Sequence, residues 1–341
     1  VLGTGGVLSN FQYISEKTGS KSKFGIIDSG SFLYFVDLNN RKFMRFDGNT
    51  DQCVSDKDNI LPEQFKLNLD HQGPPDRIYW YENPWVKKAR QIYAGQYDTA
   101  FRLDNLPSRK LKEWGLGYAP ITYTPHHASH AAAGYYTSPF NHCAVVVLDA
   151  IGEFESATIW ECVHGEMKKL WSAKYPNSLG LFYSAFTQMV GLTPIRDEHV
   201  LQQMAELGDP ARFRQDVSKY FGPGAVDLEY NFHRGVQNWG IGGWSVEDQC
   251  NLAAAVQERF EIEVAKVMYK AKDLTNADCL VYMGGCAMNS AANKHIYSKF
   301  KYVWSLPNPG DASSAIGAVA YHTKQRVWRD WGPVKHLEIR V

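Results

Sequence analysis

Four short stretches of the chain hold residue types that can do chemistry. The first is Pro125-His126-His127-Ala128-Ser129-His130. On a helix, His126 and His130 stand at i and i+4, so their imidazoles share one face and can hold one metal ion, while His127 points elsewhere. Capping or packing histidines would give the same spacing, and the Glu of the metalloprotease pattern His-Glu-x-x-His is missing. The second is Asp149, which ends an apolar run and precedes Ala150-Ile151-Gly152-Glu153. A carboxylate at the end of a buried strand is costly unless it meets a metal, a phosphate or a donor. A turn aspartate is the plainer reading. The third is Gly284-Gly285-Cys286-Ala287-Met288-Asn289. Two glycines between a strand and a helix let the backbone approach a ligand, and a helix start favours phosphate. A bare tight turn needs the same glycines. The fourth is Pro307-Asn308-Pro309-Gly310-Asp311, leading into an Ala- and Ser-rich segment. Asp311 either caps the helix that follows or supplies a further metal ligand.

The elements that must position these residues follow from periodicity and turn signals. Phe24–Asp28, Ser31–Val36 and Arg41–Phe46 read as a strand meander. Residues 47–73 are polar and turn-rich, a loop with one short helix. Arg77–Tyr81 is a strand and Pro84–Tyr93 a helix. Ala-rich His126–Tyr136 reads as a helix, and Cys143–Asp149 as a buried central strand. A hairpin over 156–173, helices over 179–190 and 198–207, and a long helix Val246–Lys272 come next. Cys279–Met283 is a second buried strand, followed by a helix to about His295, a strand Tyr302–Ser305 and a helix Ser313–His322. The order implies α/β, with two sheet-containing lobes.

With 341 residues, Lys+Arg 36 and Asp+Glu 36, the chain is neutral overall. That removes the global electrostatic argument for nucleic acid or an anionic membrane, while a local basic groove stays open. No apolar run approaches the ~20 residues of a membrane span. The N-terminus lacks the charged and apolar regions of a signal peptide. Six Cys without a Cys-x-x-Cys pair fit reduced, buried thiols of a cytoplasmic protein.

In this order the four stretches resemble the O-carbamoyltransferase family, whose members include nodulation protein U and the tobramycin carbamoyltransferase. Its motif His-His-x-Ser-His-Ala matches His126 to Ala131, and its Asp followed by Gly-x-Gly-Glu matches Asp149 with Gly152-Glu153. Its Gly-Gly-x-x-x-Asn loop matches Gly284 to Asn289. Its Gly-Asp-x-x-x-Ala-x-Gly-Ala element matches Gly310 to Ala318. Further matches are Tyr81-Glu82-Asn83-Pro84 and Pro176 to Gly180 with Phe182-Tyr183. The resemblance covers about residues 76 to 325.

The resemblance implies an α/β, actin-like (ASKHA) bilobed fold with mixed sheets flanked by helices. Residues 1–125 would form the N-terminal lobe with a variable insertion, and 126–341 the lobe carrying the metal and nucleotide motifs. It implies His126, His130, Asp149 and Asp311 as ligands of Fe2+, with Zn2+ or Mn2+ as substitutes. Gly152, Gly284, Gly285, Asn289 and Ser313 would contact the nucleotide, with Mg2+ as a further cation. ATP and carbamoyl phosphate would give a carbamoyl-adenylate, and the carbamoyl group would pass to a hydroxyl of a sugar, a small molecule, or a hydroxymethylated pyrimidine in a nucleotide or DNA.

The family's opening His-Asp-x-Ser-Ala motif has its nearest match at Ile27 to Ser31, with Ile27 at the His position. Asp28 or His127 is then the candidate base. A family Lys is replaced by Val200. These departures leave a catalytically degenerate nucleotide-binding scaffold as the alternative. No YrdC-like activating domain is read before Val341. A truncated piece, a separate YrdC-like partner, or direct use of carbamoyl phosphate would each account for that. Acceptor specificity would lie in loops 47–73 and 222–245, where Trp239 and Trp244 offer stacking faces.

Overall fold

A computed structural model of the chain describes residues 75–326, apart from 105, 114, 237–238, 240–243, 295 and 297–298, together with the backbone of four strands ahead of them. Contacts divide the chain into two units, Val1–Asp76 and Arg77–Val341. The division falls well ahead of the 125/126 boundary expected from the sequence. The first unit holds β1 (Ile26–Asp28), β2 (Leu33–Asp37), β3 (Lys42–Phe46) and β4 (Asp51–Cys53). They form an antiparallel sheet in chain order, the meander read from the sequence with one more strand. Apart from β4, the loop expected over 47–73 lies outside the described residues.

The second unit opens with β5 (Ile78–Trp80), which pairs in parallel with β6 (Ile121–Tyr123). Helices Pro84–Tyr93, Tyr97–Ala100 and Pro107–Glu113 run between them. Asn83 starts the first of these: its side chain accepts from the N–H groups of Trp85 and Val86, and Pro84 takes the first position, where no donor is needed.

The main sheet comprises β7 (His142–Gly152), β8 (Glu155–Val163), β9 (Glu166–Lys174), β10 (Cys279–Met283) and β11 (Tyr302–Trp304), ordered β11-β10-β7-β8-β9. β7, β8 and β9 are antiparallel neighbours, whereas β10 runs parallel to both β7 and β11. β7 is therefore the middle strand, and its side chains alternate between two cores. Ala144, Val146 and Leu148 share one core with Phe182, Phe186, Leu252 and Val256. Cys143, Val145 and Val147 share the other with Ala131 and Tyr135. A strand covered on both faces has no polar side to show, so it reads as an unbroken apolar run. This mixed sheet with helices packed on both faces is the α/β class expected from the sequence.

The helix His126–Thr137 lies close against both the sheet and the helix Ser314–Thr323. Ala131, Ala132 and Ala133 are fully buried, and their small side chains keep it close. A Cβ on Gly317 would come within 1.7 Å of the Ser129 carbonyl oxygen, so only glycine allows the two helices to meet there. The single helix expected after Gly285 is instead a 3-10 turn, Gly285–Met288, and a short helix, Ser290–Asn293. Asn289 separates them: its backbone is extended and its side chain accepts from the Ala292 N–H, restarting the helix. His295 lies outside the described residues.

Among the described residues no helix is long and apolar enough to cross a membrane. The five described cysteines are free thiols.

Candidate metal centre

His126 is the first residue of its helix and His130 lies one turn on, which brings their Nε2 atoms to 3.0 Å. Within β7, just past Leu148 where its pairing with β8 becomes irregular, Asp149 places Oδ2 3.2 Å from His126 Nε2. Asp311, at the turn before the helix Ser314–Thr323, places Oδ1 3.3 Å from His126 Nε2 and 3.2 Å from His130 Nε2. One ligand atom from each of the four lies within 4.8 Å of every other. Two imidazole nitrogens this close need a proton or a cation between them. Donors about 2.1 Å from a shared ion stand about 3.0 Å apart at right angles and about 3.4 Å apart in a tetrahedron. The spacings of His126 Nε2 to its three neighbours and of His130 Nε2 to Asp311, 3.0 to 3.3 Å, fit between those limits. Two imidazoles and two carboxylates, with no thiolate, suit iron, manganese or zinc.

Burial alone would lower the pKa of His126. Contacts with the carboxylates of Asp149 and Asp311, and the Glu82 carboxylate nearby, outweigh it and hold the imidazole well above its ordinary value. Burial would raise Asp149, but the hydrogen bond to His126 and the charges of His126, His130 and His127 keep its carboxyl well below the usual range. Hydrogen bonds to His126 and His130 lower Asp311 likewise. The carboxylates thus call for positive charge at one point, and the His126 proton answers them where a cation would.

The glycines fix this geometry. Asp149 Oδ1 accepts the Gly285 N–H at 3.2 Å, leaving Oδ2 for His126. Gly284 has φ +94°, and a Cβ there would lie 2.1 Å from the Leu148 carbonyl oxygen. Its N–H donates to the Pro309 carbonyl, tying the end of β10 to the segment that carries Asp311. A Cβ on Gly152 would stand 2.4 Å from a carbon of the His126 ring and 2.6 Å from one of His127. The Gly-x-Gly-Glu glycine therefore makes room for the imidazoles. Exposure runs from 0% at His130 and 3% at His126 to 58% at the Asp311 side chain, so the centre is open on its Asp311 side.

The other expected site residues lie as follows. The Asn289 amide pairs with the Gln257 amide in both directions at 3.0 Å, and Tyr183 donates to Gln257 at 2.7 Å. Ser313 donates to the Gly310 carbonyl. His127 is buried, with Nδ1 3.1 Å from Thr158 Oγ1, which also accepts the Trp160 indole N–H. Burial, with the charge of His126, lowers its pKa. Asp28 ends β1 in the other unit. Trp239 and Trp244 pack against the larger core, Trp244 stacked on Phe213 at 5.4 Å between centroids, so these faces are engaged within the protein.

Three residues near the centre were given no role by sequence reasoning. Ser314 Oγ stands 3.2 Å from His130 Nδ1, Glu82 faces His126 Nδ1, and Gln257 holds Asn289. Glu82 had a signal in the Tyr-Glu-Asn-Pro match. Gln257 sits inside a long helix with nothing to mark it.

The family model of the carbamoyltransferase N-terminus matches residues 103–320, and the chain belongs to that family. Residues 1–69 match a different model, that of the Crassvirus muzzle protein, so Asp28 stands outside the transferase match. An uncharacterized protein of Synechocystis is 31% identical over 225 residues, covering 58% of this chain and 36% of its own length. Nodulation protein NolNO of Sinorhizobium fredii is 26% identical, with 61% of this chain and 32% of the relative covered. Nodulation protein NolO of Bradyrhizobium diazoefficiens is 28% identical, with 57% and 37% covered. The chain thus spans about a third of the length of these relatives. The solved structure of (R)-2-hydroxyglutaryl-CoA dehydratase component A from Acidaminococcus fermentans is 11% identical, covers 63% of this chain and 73% of its own, and has a TM-score of 0.34.

Proposed function

We propose that the chain is the catalytic domain of an ATP-dependent O-carbamoyltransferase. The observation that carries this reading is the meeting of His126, His130, Asp149 and Asp311 at one point, inside the stretch that matches the carbamoyltransferase model. Those four residues would hold Fe2+, with Zn2+ or Mn2+ as substitutes. A cation there supplies Lewis-acid polarisation and a template for phosphate oxygens.

The protein's own residues do the positioning. Gly285 N–H holds Asp149, the Gly284 turn holds the Asp311 segment, and the open Asp311 side admits substrate. Gly152, Gly284, Gly285, Asn289 and Ser313 surround the proposed nucleotide position, Asn289 kept in place by Gln257. In the proposed reaction water cleaves carbamoyl phosphate to carbamate and phosphate, and a carbamate oxygen then bonds to the α-phosphorus of ATP as pyrophosphate leaves, giving a carbamoyl-adenylate, formed by this chain or by a YrdC-like partner. The acceptor oxygen then bonds to the carbamoyl carbon, the bond to the adenylate phosphate oxygen breaks, AMP leaves, and the acceptor proton passes to a base. The acceptor class is a hydroxyl on a sugar, another small molecule or a hydroxymethylated pyrimidine.

The test is incubation of the metal-loaded chain with carbamoyl phosphate, ATP and a panel of hydroxyl acceptors, with and without a YrdC-like protein. One carbamoyl group gained by an acceptor, seen by mass spectrometry, is the expected result. No gain on any acceptor, together with ATP binding by a metal-free protein, would favour the scaffold reading.

A further inference from the structure

Tyr81-Glu82-Asn83 is pinned beside the histidine helix at several points. Ser129 Oγ donates to the Tyr81 carbonyl at 3.0 Å. The Asn83 N–H donates to Glu153 Oε1 at 2.5 Å, and the Asn83 side chain starts the next helix. Between these anchors, Glu82 is largely buried, and Lys87 Nζ holds its Oε1 at 2.7 Å. Its Oε2 is left facing His126 Nδ1 at 3.7 Å. That Nδ1 is buried and makes no hydrogen bond in this structure. Glu82 also lines a cavity of about 60 Å³ with Trp80, Lys87 and Lys88.

A metal on His126 Nε2 leaves the ring's only proton on Nδ1, and a buried donor needs an acceptor. Glu82 Oε2 is an acceptor already aimed at that atom, and closing the gap takes less than an ångström. His130 has its own outer partner in Ser314 Oγ. We infer that Glu82 is the positioning residue for His126, clamped by Lys87 so that one carboxylate oxygen fixes the tautomer and ring orientation in which Nε2 faces the ion. Such outer carboxylates raise the basicity of the ligand and hold it still. The inference rests on the four-ligand site proposed above.

The test is Zn2+ affinity of the full chain, measured by competition with a chromophoric chelator, alongside the visible absorption of the Co2+-loaded protein. Glu82→Ala should bind Zn2+ roughly 10- to 100-fold more weakly and shift the Co2+ bands, with Glu82→Gln recovering part of the loss. Lys87→Ala, a change at a partly exposed side chain, should weaken binding in the same direction and serves if Glu82→Ala fails to fold. His126→Ala is the reference and should lose the ion. Zn2+ affinity within twofold of the parent in Glu82→Ala, or in Lys87→Ala where that stands in, overturns the inference if His126→Ala has lost the ion. Retention of the ion by His126→Ala overturns the site itself.

Discussion

The histidine side of the metal centre is made by packing, whereas its Asp311 side is made by tethering. His126 and His130 stand on a helix whose residues 126–136 are all buried, held against the sheet by alanines and against its neighbour by Gly317. Asp311 stands on a short turn with its side chain 58% exposed, aimed by the Gly284–Pro309 hydrogen bond behind it. A rigid pair of nitrogens thus meets a carboxylate that solvent can reach. One side sets where an ion sits, and the other leaves room for what the ion will touch.

The sharpest way to break that contrast is to remove a ligand from each side. His130→Ala should lose bound metal altogether, measured as metal per chain after gel filtration. Asp311→Asn should keep the fold and some metal, weakening affinity by roughly tenfold or more, a loss at least as large as that typical of an outer partner.

Metal affinity should also rise with pH, by roughly tenfold per unit while one proton is displaced. The displaced proton is that of His126, whose raised pKa keeps it protonated in the metal-free protein. Above that raised value the rise should level off. The metal-free fold should show the opposite trend at this site. A raised histidine pKa stabilises the fold fully below its unfolded value of about 6.5, and that contribution is lost as pH rises through the folded value. The lowered Asp149 and Asp311 contribute above about pH 3.9, and lose their contribution as pH falls through their folded values. Melting temperatures across pH, with and without chelator, check both signs.

Gly317→Ala attacks the packing alone. Its Cβ would collide with backbone, so a loss of about 1–3 kcal/mol is expected in denaturant melts. Gln257→Ala should do least: metal content unchanged, nucleotide affinity reduced several-fold through a freed Asn289, read by calorimetry. A drop in metal content there would erase the proposed division between ion and nucleotide positions.

The parts legible in the sequence were those with local causes. β7 showed as an apolar run because both faces are covered, and the His126/His130 pair showed because helical spacing is fixed. That Asp149 and Asp311 join them came from the family resemblance, since spacing along the chain says nothing about a meeting across residues 130 to 311. The helix expected after Gly285 broke at Asn289, whose side chain offers the backbone another partner. β6 and the helices within 97–113 were passed over, being too short for periodicity to mark.

The ligands come from three stretches of chain: one helix, an irregular stretch of a strand and a turn far downstream. An ion binding all of them would act as a crosslink, closing the long loop between residues 149 and 311 as a disulfide closes one, and free energy of binding would become free energy of folding. Chelation should then be felt first at the helix Ser314–Thr323, as faster hydrogen exchange there than in β7.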